Sequence, residues 1–219
     1  MNDIGVIGLS VMGLNLALNM ADKGYKVSIY NRTSSVVDEV MRDHGHENFT
    51  PTYNLEDFVK SLERPRRVFL MIKSGKPIDM VIDQLIGLLD EGDIIIDGGN
   101  SYFKDTIRRS KYLEDKKINY LGVGISGGEE GARFGPAIMP SGNREAYEHV
   151  RDIFENISAK AYGEACCKYI STAGSGHYVK MVHNGIEYGD MQLISEAYIL
   201  LRDLGGMDNS QIQEVFEAW

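Results

Sequence analysis

Residues 3–13 read DIGVIGLSVMG. Asp3 to Gly8 is a short apolar run with the length of a buried strand, and the residues after Gly13, Leu14 to Gly24, have helical spacing. Between them stands Gly8-Leu9-Ser10-Val11-Met12-Gly13, a variant of the G-x-G-x-x-G turn that joins a strand to a helix in dinucleotide-binding folds. In that turn the first glycine makes the tight bend, and the last lets the helix pack on the strand. The middle one lets backbone approach a pyrophosphate, and here it is Ser10. A purely structural strand–turn–helix would read similarly. The strand before and the helix after favour cofactor binding by Gly8, Leu9, Ser10, Val11, Met12 and Gly13.

The next strand, Tyr25 to Tyr30, ends in Asn31-Arg32-Thr33. An NAD enzyme places an acidic residue here for the ribose 2′-hydroxyl, and that carboxylate would repel a 2′-phosphate. Arg32 instead accommodates the phosphate and Thr33 offers a hydroxyl, so the sequence predicts NADP as cofactor. Thr33 or Ser34 is equally suited to cap the following helix, and the two roles are compatible.

The alternation then continues. A helix is predicted over 55–62, a strand over Arg67–Ile72, a turn at Lys73-Ser74-Gly75 and a helix over 78–89. Further along come a strand over Asp93–Asp97, a helix over 102–116 and a strand over 119–123. Strands alternating with helices of this length mean βαβ units and a parallel sheet. Ligands bind beyond the carboxyl ends of such strands. The candidate turns are therefore 8–13, Asn31–Thr33, Ile72-Lys73-Ser74 and Gly98-Gly99-Asn100. Gly124 to Gly135, GISGGEEGARFG, reads as a glycine-rich polar loop that offers Ser126, Gly127 and Gly128 to a hydroxylated or anionic ligand. A strand over 135–140, a helix over 144–156, a strand over 158–162 and a connector over 165–176 complete the first part. A continuous helical pattern then runs from Ser175 to Leu204, and Asp208-Asn209-Ser210 starts a further helix. The fold class expected is α/β: a Rossmann-like, doubly wound, mainly parallel sheet over 1–174, then a long helix beginning an all-α domain over 175–219.

A net charge of −9 over 219 residues argues against general nucleic-acid binding. Any anionic ligand must be met by locally placed cations or helix N-termini. The two cysteines, Cys166 and Cys167, are neighbours, too few for a zinc site and read as packing residues in a reducing compartment. No apolar run reaches the roughly 20 residues of a membrane span, and the sequence enters its first strand at once, so a cytoplasmic protein without a signal peptide is expected.

Within the long helix, His177 to Met191 reads HYVKMVHNGIEYGDM. At about 100° per residue, Lys180, His183, Asn184, Glu187 and Tyr188 share one face. Val179, Val182, Ile186 and Leu193 share the other, which is expected to pack. A lysine and a glutamate about two turns apart offer a base and an acid for proton transfer. Gly185 and Gly189 each weaken a helix by about 1 kcal/mol relative to alanine, which suggests close approach of something to the backbone.

The segments GLSVMG, NRT, DGGNS, SGGEEGAR, GPAIMP and GHYVKMVHNGIEYGDMQLI together resemble the decarboxylating, NADP-dependent 6-phosphogluconate dehydrogenase family. The first of these is shared by the wider β-hydroxyacid dehydrogenase superfamily, including 3-hydroxyisobutyrate-type enzymes; the combination of SGGEEGAR with KMVHNGIEYGDMQ is specific. Ser10, Ala137 and Ser141 are small departures from the usual pattern. The resemblance implies oxidative decarboxylation of 6-phospho-D-gluconate to ribulose 5-phosphate, with no metal. It implies Lys180 as base and then electrostatic stabiliser, and Glu187 as proton donor. Asn100, Ser126, Gly127, Gly128, His183 and Asn184 would hold the sugar acid, Tyr188 its phosphate, and Asn100 the cofactor as well. The family continues into a large helical domain and forms homodimers. The resemblance therefore implies an N-terminal part that binds NADP and turns over substrate poorly by itself.

Overall fold

The computed structural model describes all 219 residues, in two compact units, Met1–Lys180 and Met181–Trp219. The first unit runs β1 (Ile4–Ile7), α1 (Val11–Asp22), β2 (Val27–Tyr30), α2 (Ser34–His44), β3 (Phe49–Thr52), α3 (Leu55–Lys60), β4 (Arg67–Leu70), α4 (Lys76–Ile86), β5 (Ile94–Asp97), α5 (Phe103–Glu114), β6 (Asn119–Ser126), α6 (Gly128–Phe134), β7 (Ala137–Gly142), α7 (Arg144–Glu148), α8 (Arg151–Ile157), β8 (Lys160–Ala161) and β9 (Glu164–Ala165). Helix α9 (Ser175–Asp203) begins in this unit and continues into the second, which ends with α10 (Asn209–Ala218).

Seven strands form one sheet in the order β3-β2-β1-β4-β5-β6-β7, all parallel except β7. Strands β1, β4 and β5 are nearly continuous apolar runs because both faces are covered. One face packs with Leu16, Met20, Val37 and Phe154, the other with Phe58, Ile78, Ile82 and Leu113. The order reverses between β1 and β4, and this switch point is where an open α/β sheet presents a crevice at its strand ends.

The expected architecture is present, with corrections of detail. Strand β3 is absent from the sequence reading: Pro51 lies inside it, which only an edge strand tolerates, and β3 is the edge. The segment 124–135 is not a loop. It is the end of β6 followed by α6, and the buried Asn19 side chain of α1 donates to Ala132 O (3.1 Å) of α6 and to Ile157 O (3.0 Å) of α8. The helix expected over 144–156 is two, broken where Val150 turns into the core. The strand expected over 158–162 shrinks to a two-residue ribbon turning at Tyr162 and Gly163, both at positive φ.

Strand β6 explains where the long helix starts. Leu121, Val123 and Ile125 point into one core, so Gly122 and Gly124 fall together on the opposite face. The first turn of α9 lies there. A Cβ on Gly176 would come 2.0 Å from Met139 O and 2.9 Å from Gly122 O; one on Gly124 would come 2.8 Å from both Gly176 O and Lys180 Cβ. His177 and Lys180 are thereby buried. The apolar face expected to pack does the reverse: Val179, Val182, Ile186 and Leu193 are all exposed. The contact surface is set by glycine backbone, which a hydrophobicity pattern does not register. Gly185 and Gly189 meet nothing within 4 Å in this chain.

In the second unit, Asp208 and Gln211 form a reciprocal capping box at the start of α10, Tyr198 OH donates to Asn209 Oδ1 (3.0 Å), and Ile212 is buried.

Gly176→Ala is expected to destabilise the first unit by about 2 kcal/mol through overpacking against Met139 and Gly122. Gly185→Ala on the same helix has open space and should stabilise by about 0.5–1 kcal/mol. Denaturant midpoints of the two variants moving in the same direction would refute this account.

Candidate active site

The turn after β1 has the geometry that the sequence predicts. Gly8 has φ +99°, and a Cβ on it would strike Met71 O at 2.5 Å. A Cβ on Gly13 would lie 1.9 Å from Gly8 O, so the helix sits directly on the turn. Ser10, at the middle position, has φ −71° and ψ 177°, extended backbone open to any residue, which is why serine fits there. Its side chain makes no cap, and the first-turn amides of α1 remain available to an anion, with the positive end of the helix dipole behind them.

A cleft of about 340 Å³ lies beside this turn. Gly8, Asn31, Arg32, Thr33, Ile72 and Lys73 all line it, together with Tyr30, Leu55, Met80 and others. Five separate stretches of sequence are thus brought to one place. The Asn31 side chain joins two of them, accepting from Leu9 N (3.3 Å) and donating to Thr33 O (3.2 Å). Thr33 is the N-cap residue of α2 without a side-chain cap bond, so its hydroxyl is not committed to that helix. Arg32 and Lys73 are exposed at the cleft. Leu9, Ser10, Val11, Met12, Gly13, Ser74 and Asn100 are not among the residues lining this cleft. Ser74 follows Lys73 in the turn after β4, and Asn100 is exposed in the turn after β5.

The turn after β5 is held from beneath by groups the sequence reading did not single out. Asp97 is fully buried and accepts from Ser101 Oγ (2.7 Å), Tyr120 OH (2.8 Å) and Gly99 N (3.1 Å). Burial first, and then the Asp97 carboxylate, push the Tyr120 phenol well above its usual range. His177 lies close by, its Nδ1 2.7 Å from Thr106 Oγ1 and its Nε2 buried without a hydrogen-bond partner. Burial lowers the imidazole pKa against the opposing influence of Asp97. The only sequence signal for these residues is that an Asp, a Tyr and a His sit in otherwise apolar or core-facing positions.

The remaining predicted residues divide between the two units. Ser126 ends β6, and Gly127 and Gly128 open α6, both at positive φ. Lys180 is buried beside Gly124. Met181 onwards belongs to the second unit, where His183, Glu187 and Tyr188 are exposed and Asn184 half-buried. There His183 Nδ1 lies 3.3 Å from Asn184 Oδ1 and 3.6 Å from Glu187 Oε2. Cys167 packs against Tyr147 OH at 3.9 Å, and burial pushes its thiol up to about 11, consistent with a packing role.

Residues 3–171 match the NAD binding domain of 6-phosphogluconate dehydrogenase, and residues 176–219 match the C-terminal domain of 6-phosphogluconate dehydrogenase. Two Bacillus subtilis (strain 168) proteins are each 54% identical to the chain: an NADP(+)-dependent decarboxylating 6-phosphogluconate dehydrogenase over 216 residues and an NAD(+)-dependent one over 218. They cover 99% and 100% of this chain, which in turn covers 46% and 47% of them. The chain thus spans about half the length of the curated relatives it matches. The Plasmodium falciparum 6-phosphogluconate dehydrogenase, solved apo, with its cofactor NADP+ and with its substrate 6-phosphogluconate, superposes with a TM-score of 0.94 at 45% identity, over 99% of this chain and 47% of that one. Mycobacterium tuberculosis 3-hydroxyisobutyrate dehydrogenase shares the fold, with a TM-score of 0.81 at 20% identity over 100% of this chain and 71% of that one.

The buried imidazole has a measurable consequence. His177 has a folded pKa below 6.5, whereas the unfolded chain regains the ordinary value. Below that pH the unfolded state binds a proton that the folded state resists. The stability contributed is therefore complete above 6.5 and is lost as pH falls beneath it. Between about pH 7.5 and about pH 5.5 the urea midpoint of His177→Gln should fall less than that of the wild type. Equal falls would show that the imidazole is not held neutral.

Proposed function

Because the chain belongs to the 6-phosphogluconate dehydrogenase family, we propose that it binds NADP and supplies the cofactor half of an oxidative decarboxylase. The substrate in this reading is 6-phospho-D-gluconate and the product ribulose 5-phosphate, in the pentose phosphate pathway. Residues 1–174 are the cofactor domain and 175–219 the beginning of the helical one, in a cytoplasmic protein that works as a homodimer.

The observation that carries the cofactor assignment is the convergence of Gly8, Arg32, Thr33 and Lys73 on one cleft at the switch point. Relatives with NADP and with NAD in their names are equally similar to this chain, so overall likeness does not choose between the cofactors. Arg32 does, because a guanidinium meets a 2′-phosphate with paired donors where an acidic residue would repel it. The pyrophosphate is held by the turn 8–13 and the first-turn amides of α1. The Cβ-free surface at Gly8 and Gly13 fits that close approach. Ile72, Lys73, Ser74 and Asn100 complete the cofactor contacts.

The bound nicotinamide supplies a hydride acceptor. The chemistry left to the chain is proton management. Lys180, neutral at the outset, takes the proton of the C3 hydroxyl as hydride leaves C3, giving a 3-keto acid and an ammonium. The bond from the carboxylate carbon then breaks, carbon dioxide departs, and the electron pair moves toward the C3 oxygen. The Lys180 ammonium stabilises the oxyanion that forms. Glu187 gives a proton to C1 of the enediolate, the electron pair of the oxyanion re-forms the C=O bond, and ribulose 5-phosphate results. The placement of Lys180, buried with its Cβ against Gly124 in the first turns of α9, supports this role. Ser126, Gly127, Gly128, Asn100, His183 and Asn184 orient the sugar acid, and Tyr188 meets its phosphate.

Arg32→Glu should weaken NADP+ binding by about 10- to 100-fold, the range for losing a charge-assisted hydrogen-bonded contact, and leave NAD+ binding within about twofold. Calorimetry with both nucleotides tests this. Unchanged NADP+ affinity in the variant, or wild-type preference for NAD+, would overturn the cofactor assignment. In the protein at its natural length, Lys180→Met should abolish 6-phosphogluconate-dependent NADPH formation.

A further inference from the structure

Two of the turns used in the proposed reading stand side by side. The turn after β4 carries Lys73, Ser74 and Gly75; the turn after β5 carries Gly98, Gly99 and Asn100. Their backbones meet at the strand ends: Gly98 N donates to Leu70 O (3.0 Å), the last residue of β4, and a Cβ on Gly99 would lie 3.1 Å from Ile72 O. Backbone contact at the strand ends leaves the turns themselves to be held by other groups, and one side chain hydrogen-bonds to both.

That side chain is Arg109 of α5, fully buried. Its Nη2 donates to Gly75 O (2.9 Å), the N-cap residue of α4. Its Nε donates to Asp79 Oδ1 (2.8 Å) in the first turn of that helix. Its Nη1 reaches the other turn, 3.4 Å from Ser101 Oγ and 3.5 Å from Asp97 Oδ2. The guanidinium is planar and carries its donors in a fixed fork, so these four contacts cannot vary independently.

We propose that Arg109 is a positioning residue: its buried guanidinium locks the cofactor turn at Ser74–Gly75 to the Gly98–Ser101 turn, so that the two present their ligand contacts in one register. This rests on the reading that the chain binds NADP through these turns. Lysine cannot replace it, because an ammonium is a point charge on a flexible stem and lacks the fork that spans Gly75 and Ser101. The neighbouring Arg108 supplies the contrast. It also binds Asp79, at 2.9 and 3.1 Å, but is half exposed and touches neither turn.

Arg109→Lys is compared with Arg108→Lys in the 219-residue chain, by NADP+ calorimetry and by amide hydrogen exchange. Arg109→Lys should weaken NADP+ binding by about tenfold, since small misplacements of positioned groups are costly. It should also speed exchange together at Gly98 and Gly99 in one turn and at Ile78, whose amide donates to Gly75 O, in the other. Arg108→Lys should change neither by more than about twofold, as for an exposed ion pair. Asp79→Asn, which loosens the same fork without removing it, should give a smaller change in the same two readouts and serves if Arg109→Lys does not fold. Unaltered affinity in a folded Arg109→Lys, or faster exchange in one turn only, would overturn the proposal; so would no change in Asp79→Asn where Arg109→Lys does not fold. Failure of the wild type to bind NADP+ would instead sink the underlying reading, and the exchange data would still decide whether the turns are coupled.

Discussion

The close approach of the first turn of α9 to the glycine face of β6 is the constraint on which the rest of this structure depends. Gly176 lies against Met139 O and Gly122 O with no room for a methyl group. That contact does two things at once. It fixes where a helix of 29 residues leaves the sheet, and it sinks His177 and Lys180, two polar residues, below the surface. The proposed chemistry therefore begins with backbone packing. His177 and Lys180 would be ordinary helix surface if larger residues stood at 122, 124 and 176.

The electrostatics follow the same logic of local arrangement. The chain carries a net charge of −9, yet the proposed cofactor is a polyanion. Long-range attraction cannot bring the two together, so the binding energy has to come from short-range groups. These are the first-turn amides of α1 and the exposed Arg32 and Lys73 at the cleft. Asn31 ties the glycine turn to the loop that carries Arg32. A cation on a tethered loop loses less freedom on binding than one on a free loop.

Much of this was legible in the sequence. The order of strands and helices follows from apolar runs and their periods, and the cofactor turns follow from their place after strands, because strand ends are where a parallel sheet presents loops. Arg32 is legible for the same reason. What was not legible shares one physical character: it depends on residues far apart in the chain. The face of α9 that packs was read the wrong way round, because Val179, Val182, Ile186 and Leu193 define a hydrophobic stripe while the actual contact is made by Gly122, Gly124 and Gly176. The glycines of 124–135 suggest a loop, but the segment ends β6 and then forms α6, which Asn19 of α1 ties down through Ala132 O. Pro51 hides an edge strand. Neither Asp97 nor Arg109 carries any local mark of its role.

Arg109 shows why such a role escapes sequence patterns and why it is informative. Burial opposes its charge, while Asp79 and Asp97 hold the guanidinium protonated. In turn the Asp79 carboxyl, despite some burial, is kept below its usual range by Arg109 and Arg108. A buried arrangement of this kind is an inefficient way to fill volume, because desolvating the ions offsets most of their attraction, and apolar packing of similar size is often as stable. What apolar side chains cannot do is fix direction. Dispersion contacts tolerate sliding, whereas three hydrogen bonds from one planar group to Gly75, Asp79 and Ser101 permit one relative placement of the turns that carry them. The value of the cluster therefore lies in orientation, at the point in the fold where two strand ends must address a single ligand.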